Sequence, residues 1–314
     1  MQELCLHRRA REFQHILLAT DFEPPSRSAF AAALVVCAQL GADLSVVHVT
    51  EAADIVPGSD ADDEDIQLGL LAKRQALHDL SVAARQAGVA ARTHLLPGIG
   101  PEGVLNAVRA LRPDMVVMGT SAPRGLGRLA FGSTAESVLR NSPCPVLTVG
   151  PRAALRGAEA LRQGPVVFAT DFDTTTMPAI FYASVYSDAM RRPLHCFHVL
   201  PRMLEGASDD GAMQQVLSEA LQQAAKTSGV AAVEPVCATE YGSEVSTTVV
   251  AYAEKQAASL IVLGMRQASM LSSHLRADVA VRVIVEAPCP VMTMAFAAKG
   301  GETPAFAGTL RAAL

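Results

Sequence analysis

A glycine-rich segment in the first half of the chain has the composition of a phosphate-binding loop. Gly132, Ser133 and Thr134 open a predicted helix, whose free N–H groups and positive dipole end favour an anion. Arg124 and Arg128 add positive charge just before it. Further glycines, which let a backbone approach a ligand closely, lie at positions 119, 125 and 127. A flexible loop that ends in an ordinary Ser or Thr helix cap has the same composition, so both interpretations stay open.

Short apolar segments alternate with amphipathic ones along the chain, which predicts strands and helices in turn. Alternation of this kind indicates parallel strands with crossover helices on both faces of a sheet. The predicted strands cover residues 15–19, 43–49, 91–96, 115–118 and 146–149, and then 166–169, 194–199, 232–238, 260–263 and 291–294.

The order of the strands decides which loops meet. Ligands of an open parallel sheet bind beyond the carboxyl ends of the strands, at the point where the strand order reverses. In the predicted order 3-2-1-4-5, that point lies between strands one and four. Thr20 and Asp21 follow strand one, and Gly119 begins the segment after strand four. We therefore expect the glycine-rich segment at the ligand-binding edge of the sheet.

Three short motifs occur twice, in the same order. Ala-Thr-Asp-Phe begins at 19 and 169, His-Val at 48 and 198, and Pro-Cys-Pro-Val at 143 and 288. Spacing this wide indicates a duplicated domain, since solenoid repeats are about 20–50 residues long. We predict an α/β fold of two tandem, doubly wound, Rossmann-like parallel sheets of five strands each, related by a pseudo-two-fold axis. The expected boundaries are 12–150 for the first domain, 164–296 for the second, and 297–314 for a flexible tail.

These residues resemble those of the universal stress protein family, over positions 13 to 296 and in its tandem form. The likeness rests on the Asp after strand one, Met-Gly-Thr after strand four, the Gly-Ser pair and the closing Pro-Cys-Pro-Val. Nucleotide-binding members carry G-x2-G-x9-G-[S/T], and here Ala122 stands at the second glycine. Its methyl fits if the residue has negative φ and crowds the phosphates if the backbone packs tightly, so both outcomes stay open.

The resemblance also implies a set of site residues for an ATP-class nucleotide. Thr20 and Asp21 would lie on the adenosine side, and Val49 would line the base pocket. Met118 and Gly119 would contact the ribose and phosphates. The triphosphate would be held by Gly132, Ser133 and Thr134.

The second half serves as an internal control for the first. Gly264 is retained, but Gln267 replaces the second glycine, and Ala277 and Asp278 replace Gly-Ser. Asp278 can cap a helix, yet its carboxylate would repel a phosphate. We therefore expect one nucleotide site per chain. Because Asp171 persists in this half, its counterpart Asp21 either contacts the ligand or caps the following loop.

The composition of the chain bears on its partners and its location. The net charge of −5 argues against nucleic acid or an anionic membrane as a partner. We expect no signal peptide, and no apolar run reaches the length of about 18 residues that a membrane helix needs. The six cysteines are scattered without a C-x-x-C pair, which favours free thiols in a reducing cytoplasm.

Motifs of catalysis are missing from the sequence. It contains no Walker-type loop, no H-E-x-x-H and no Ser-His-Asp set. The paired His48 and His198 are expected to be packed, and the acidic run at 60–65 to be a solvated loop without metal. The chain is therefore predicted to be no enzyme, or at most a very slow ATPase.

Two functions from different classes remain. The first is a cytoplasmic stress-response protein that binds ATP, with or without Mg, in its first domain as a regulatory module. The second is a nucleotide-free interaction scaffold, in which the last strands, 146–149 and 291–294, pair within the chain and protect each other's edges. An unidentified regulatory protein and a second copy of the chain are left open as partners.

Overall fold

A computed structural model of the chain describes residues 13–50, 63–120, 132–173, 175–205, 235–266 and 279–296, together with the isolated positions 215, 218, 219 and 222. Ala122, Gln267, Ala277, Asp278 and the predicted tail lie outside the described residues. No helix within the described ranges is long and apolar enough to cross a membrane.

The first half alternates strands and helices as the pattern predicts. Its strands are β1 His15–Ala19, β2 Asp43–Thr50, β3 Ala91–Pro97, β4 Met115–Gly119 and β5 Val146–Val149. Its helices are α1 Pro24–Leu40, α2 Asp63–Gln86, α3 Gly100–Leu111 and α4 Ser133–Asn141, followed by the short helix α5 Pro151–Arg156 and a 3-10 turn at Ala158–Arg162.

The second half repeats this order. Its strands are β6 Val166–Ala169, β7 Leu194–Pro201, β8 Val236–Gly242, β9 Leu260–Arg266 and β10 Val291–Phe296. The helices described in it are α6 Ala179–Ala189, α7 Val245–Lys255 and α8 Val279–Glu286, with a 3-10 turn at Arg202–Leu204.

Strand β8 is described from Val236, while residues 232–234 of the predicted strand lie outside the described residues. Pro235, just before it, cannot donate to the ladder with β7. Two further local features differ from the sequence prediction. The linker after β5 contains α5, whose Pro151 at the first turn and Gly157 at the end are the usual helix signals. Helix α2 begins at Asp63, inside the acidic run, since the partly positive start of a helix accepts acidic residues.

The ten strands form one sheet in the order β3-β2-β1-β4-β5-β10-β9-β6-β7-β8. Within each half all pairs are parallel, so the predicted order 3-2-1-4-5 is confirmed twice. The halves meet where β5 and β10 pair antiparallel, with Thr148 opposite Val291 and Leu147 opposite Met292. The two predicted sheets are thus joined edge to edge, as the interaction hypothesis expected.

Helices cover both faces of this sheet, which explains why its strands are apolar throughout. Helices α1, α2 and α6 pack on one face and α3, α4, α7 and α8 on the other. Ile16, Leu17 and Leu18 in β1 are completely buried although they point to alternate faces. The strand ends are therefore held rigidly, and with them the loops that follow.

The connection between the halves is fixed by close packing and by charge. A Cβ atom at Gly150 would lie 1.9 Å from the carbonyl oxygen of Ile284, so α8 can approach only a glycine here. Arg152 donates to both carboxylate oxygens of Glu254, at 2.8 and 2.9 Å, and to the Glu286 carbonyl at 3.0 Å. These contacts bind the linker helix α5 to the second half.

A repeated turn follows the first strand of each half. The Thr20 carbonyl accepts a hydrogen bond from His48 Nδ1 at 2.8 Å, and the Thr170 carbonyl accepts one from His198 Nδ1, also at 2.8 Å. Since a carbonyl can only accept, Nδ1 carries the proton in both rings. This agrees with the prediction that the two histidines are packed. Burial lowers the pKa of His198 below its ordinary value.

We predict that Gly150→Ala lowers the free energy of unfolding by about 1–3 kcal/mol, because the new methyl overlaps the Ile284 carbonyl. The matched control is Gly132→Ala, which also replaces a helix N-cap glycine but adds a methyl with no atom of the described residues within 4 Å. Urea denaturation of both variants measures the difference. Equal loss in the two variants would contradict tight packing at the junction.

We also predict that the free energy of unfolding falls as the pH drops below about 6.5. The unfolded chain takes up protons on its histidines before the folded one does, because burial lowers the folded pKa of His94, His195 and His198. His198→Asn keeps a donor for Thr170 and removes one of these groups, so its stability should depend less steeply on pH. Denaturant titrations between pH 5.5 and 7.5 test this, and an unchanged slope would refute the assignment.

Candidate functional site

A cleft of about 300 Å³ lies beyond the carboxyl ends of β1 and β4. Eight of the nine residues predicted for the site line it, and the ninth, Ala122, is outside the described residues. The eight are Thr20, Asp21, Val49, Met118, Gly119, Gly132, Ser133 and Thr134. The fold thus brings together residues that are up to 114 positions apart in the chain.

Gly132 at the start of α4 is a glycine that the described residues around it do not require. Its φ of −59° suits any residue, and a Cβ atom there would meet no atom of the described residues within 4 Å. Glycine has no side chain to cap the helix, so the first N–H groups of α4 and the hydroxyls of Ser133 and Thr134 border the cleft without a cap from position 132. This end of the cleft is chemically suited to an anion.

Gly119, in contrast, is required by packing. A Cβ atom there would lie 2.2 Å from the Pro25 carbonyl oxygen and 2.8 Å from the Ser26 nitrogen, at the start of α1. A Cβ atom at the equivalent Gly264 would clash in the same way, because it would lie 2.4 Å from the Thr176 carbonyl oxygen. The glycine shared by the two halves therefore allows the first helix to cross the end of the fourth strand.

Asp21 caps the loop that follows β1. Its Oδ1 accepts the Glu23 N–H at 3.0 Å, and Asp171 accepts the Asp173 N–H in the same way at 3.1 Å. This shared bond accounts for the aspartate in both halves. Asp21 is also exposed and lines the cleft, so its structural bond leaves it available to a ligand.

Thr20 and Val49 form the inner wall of the cleft. The Thr20 hydroxyl accepts the Phe22 N–H at 3.0 Å and donates to the Ser26 hydroxyl at 3.1 Å. The side chain of Val49 packs so closely on α3 that a Cβ atom at Gly103 would lie 2.5 Å from Val49 Cγ1. Because β1 and β2 are neighbouring strands, an apolar side chain and hydroxyl groups border the cleft side by side.

Sequence reasoning missed several lining residues. Ser26, His48, Gly100 and Thr120 also border the cleft. Each of them lies at or just beyond the end of a strand, or in the first turn of the next helix. This position in the sequence pattern could have predicted them as lining residues. The titratable side chains of the described lining are Asp21 and His48. Since His48 Nδ1 donates to Thr20, it does not form a nucleophile–base pair through that atom.

The second half has an equivalent cleft, and it is larger, at about 430 Å³. Its lining includes Thr170, Asp171, Val199 and Gly264, the counterparts of four predicted site residues in the first half. Arg266, beyond the fourth strand of this half, forms an ion pair with Asp173 and lies 3.8 Å from Asp171. The positions that distinguish the predicted cradle, 267, 277 and 278, are outside the described residues.

Within the part of the chain that the structure describes, no group of three His, Cys, Asp or Glu residues could hold a metal ion. No disulfide joins the described cysteines, which are Cys37, Cys144, Cys196, Cys237 and Cys289. Burial raises the pKa of the Cys37 thiol to about 12, so this side chain stays protonated.

Comparison with known proteins matches both halves of the chain to one protein family. The model of the universal stress protein family matches residues 12–150 and again 164–294. A universal stress protein from Methanocaldococcus jannaschii is 29% identical over 140 residues, which cover 44% of this chain and 82% of that protein. Universal stress protein A homolog 1 of Coxiella burnetii is 31% identical over 139 residues, or 44% of this chain and 96% of its own length.

The arrangement of the two halves also has a counterpart. A solved structure of a universal stress protein from Archaeoglobus fulgidus superposes with a TM-score of 0.70 and 19% identity, and the match covers 91% of this chain and 99% of that one. This likeness concerns the fold. Because the family model matches both halves, the chain belongs to the universal stress protein family and is of its tandem type.

Proposed function

We propose that the first half binds an adenine nucleotide of the ATP class, with or without Mg²⁺, as a regulatory site. The observation that carries this proposal is Gly132. No contact with the described residues requires a glycine there, and its missing side chain leaves the start of α4 open toward the cleft. The amino-terminal end of a helix attracts anions, and the absence of a side chain at position 132 leaves space there. A phosphate group would fit into this space.

The remaining lining suits the other parts of such a ligand. The N–H groups of α4 and the hydroxyls of Ser133 and Thr134 would hold phosphate oxygens. Val49 offers an apolar surface for the base, and Thr20 and Asp21 lie on the same side as that surface. Met118 and Gly119 lie between these two ends, so the order along the cleft matches base, ribose and phosphates. The volume of about 300 Å³ is at the small end for ligand sites.

We infer a binding role rather than rapid turnover. Rapid turnover needs a positioned catalytic set, and the sequence contains no Walker-type loop, no H-E-x-x-H and no Ser-His-Asp set. The chain would therefore respond to nucleotide by occupancy and hydrolyse it very slowly, if at all. We include a stress-response role and a cytoplasmic location in the proposal, the latter because described cysteines without disulfides fit a reducing compartment.

A second candidate function is a scaffold that binds partners without nucleotide. The observation in its favour is that Leu68 and Leu71, one turn apart on α2, are exposed. Apolar side chains on one helix face suit the surface of another protein, either a regulatory partner or a second copy of the chain. In this case the methyl of Ala122 would close the first cleft to phosphate.

We predict that Gly132→Asp abolishes binding of Mg-ATP and does not weaken the fold. The new carboxylate would face the phosphates, at a cost of at least about a hundredfold in affinity, or about 2.7 kcal/mol. Aspartate is also among the best helix N-caps, so the free energy of unfolding should stay equal or rise. Calorimetric titration of nucleotide-stripped chain should give one site per chain before the change.

The matched control is Asn141→Asp, which adds the same charge at the other end of the same helix. It should leave the affinity for Mg-ATP unchanged. Absence of heat at millimolar ATP in the unaltered chain would contradict the proposal and favour the scaffold. Binding that survives Gly132→Asp would place the nucleotide elsewhere.

A further inference from the structure

The cleft of the second half differs from the first in the chemistry of its walls. At three equivalent positions, a small or polar residue of the first cleft is replaced by a larger apolar one. Val245 stands for Gly100, Met265 for Thr120 and Val279 for Thr134. Despite these larger side chains, the second cleft is the more spacious, at about 430 against 300 Å³. Phe168, Phe197 and Leu263 extend the apolar lining inward.

The polar groups of this cleft are already engaged by the protein. The Thr170 hydroxyl accepts the Phe172 N–H at 3.0 Å and donates to the Met177 sulfur at 3.1 Å. Thr176 donates its hydroxyl proton to Asp171 at 2.8 Å. His198 donates from Nδ1 to the Thr170 carbonyl at 2.8 Å. A ligand that enters therefore gains little from hydrogen bonds to these groups.

The charges of the cleft are also balanced locally. Arg266 is the cation of the described lining, and Asp173 pairs with it while Asp171 lies 3.8 Å away. Two carboxylates thus surround one guanidinium, so the described lining offers no excess positive charge to an anion. Burial lowers the pKa of His198, so at neutral pH its ring adds no charge.

We propose that this second cleft binds an uncharged, mainly apolar organic molecule of a few rings. Its volume falls in the range of ligand sites, which is about 300–1,000 Å³. Apolar walls stabilise such a ligand by removing its surface from water, whereas a charged one would lose hydration without a free counter-charge. The proposal concerns a different site and a different ligand class from the nucleotide proposal, and each stands without the other.

The test compares two fluorescent probes with the same aromatic skeleton. Phenylnaphthylamine is uncharged, and anilinonaphthalene sulfonate carries one sulfonate in addition. With the full chain, we expect saturable binding of one phenylnaphthylamine per chain, at least about tenfold tighter than the sulfonate. Equal or tighter binding of the sulfonate, or no saturable binding of the uncharged probe, would overturn the proposal.

Variants then assign the bound probe to the second cleft. Val245→Glu adds a carboxylate to the lining at the first turn of α7, where a negative charge suits the helix and the native side chain is 46% exposed. It should weaken phenylnaphthylamine binding at least about tenfold. Leu155→Glu, at a side chain 88% exposed on α5, is the control and should leave binding unchanged.

Binding of phenylnaphthylamine to the second cleft should not depend on the state of the first cleft. Saturating Mg-ATP and the Gly132→Asp change should both leave the phenylnaphthylamine affinity as it was. Displacement of the probe by Mg-ATP, or an unaltered affinity in Val245→Glu, would assign the probe to another place and refute the proposal.

Discussion

The antiparallel pairing of β5 with β10 is the constraint on which the rest of the architecture depends. Each strand is the last of its own parallel sheet, and their pairing leaves neither with an exposed edge. Because the two sheets run in opposite directions, the carboxyl ends of their strands lie at opposite edges of the common sheet. The two clefts are consequently separated, and each could change its ligand chemistry without disturbing the other.

Duplication separates residues that serve the fold from residues that serve a ligand. Gly119 and Gly264 are both required where the first helix crosses the fourth strand, and Asp21 and Asp171 both cap a loop. Among the described residues, no contact requires a glycine at position 132, which is why the proposed nucleotide site depends on it. A glycine that is conserved between the halves is therefore the weaker indicator of ligand binding here.

Much of this was accessible from the sequence, because strand order and loop positions follow from periodicity and from the repeated motifs. Pro235 was counted as a strand residue, although it cannot donate to the ladder and precedes the described start of β8 at Val236. The larger size of the second cleft could not be foreseen. It depends on the relative positions of three separate elements, which bring Val245, Met265 and Val279 to the same cleft. The local sequence pattern predicts each element but not the distances between elements, and these distances set the volume of the cleft.

The central claim is that the two halves keep one fold but divide the ligand chemistry between them, with nucleotide bound in the first half alone. Hydrogen exchange of the full chain with and without Mg-ATP tests this most directly, since it reports on each half in one sample. The account predicts slower exchange at the start of α4 and beyond β1 and β4, with β6, β9 and α8 unchanged. Protection in the second half, or equal protection in both, would contradict it.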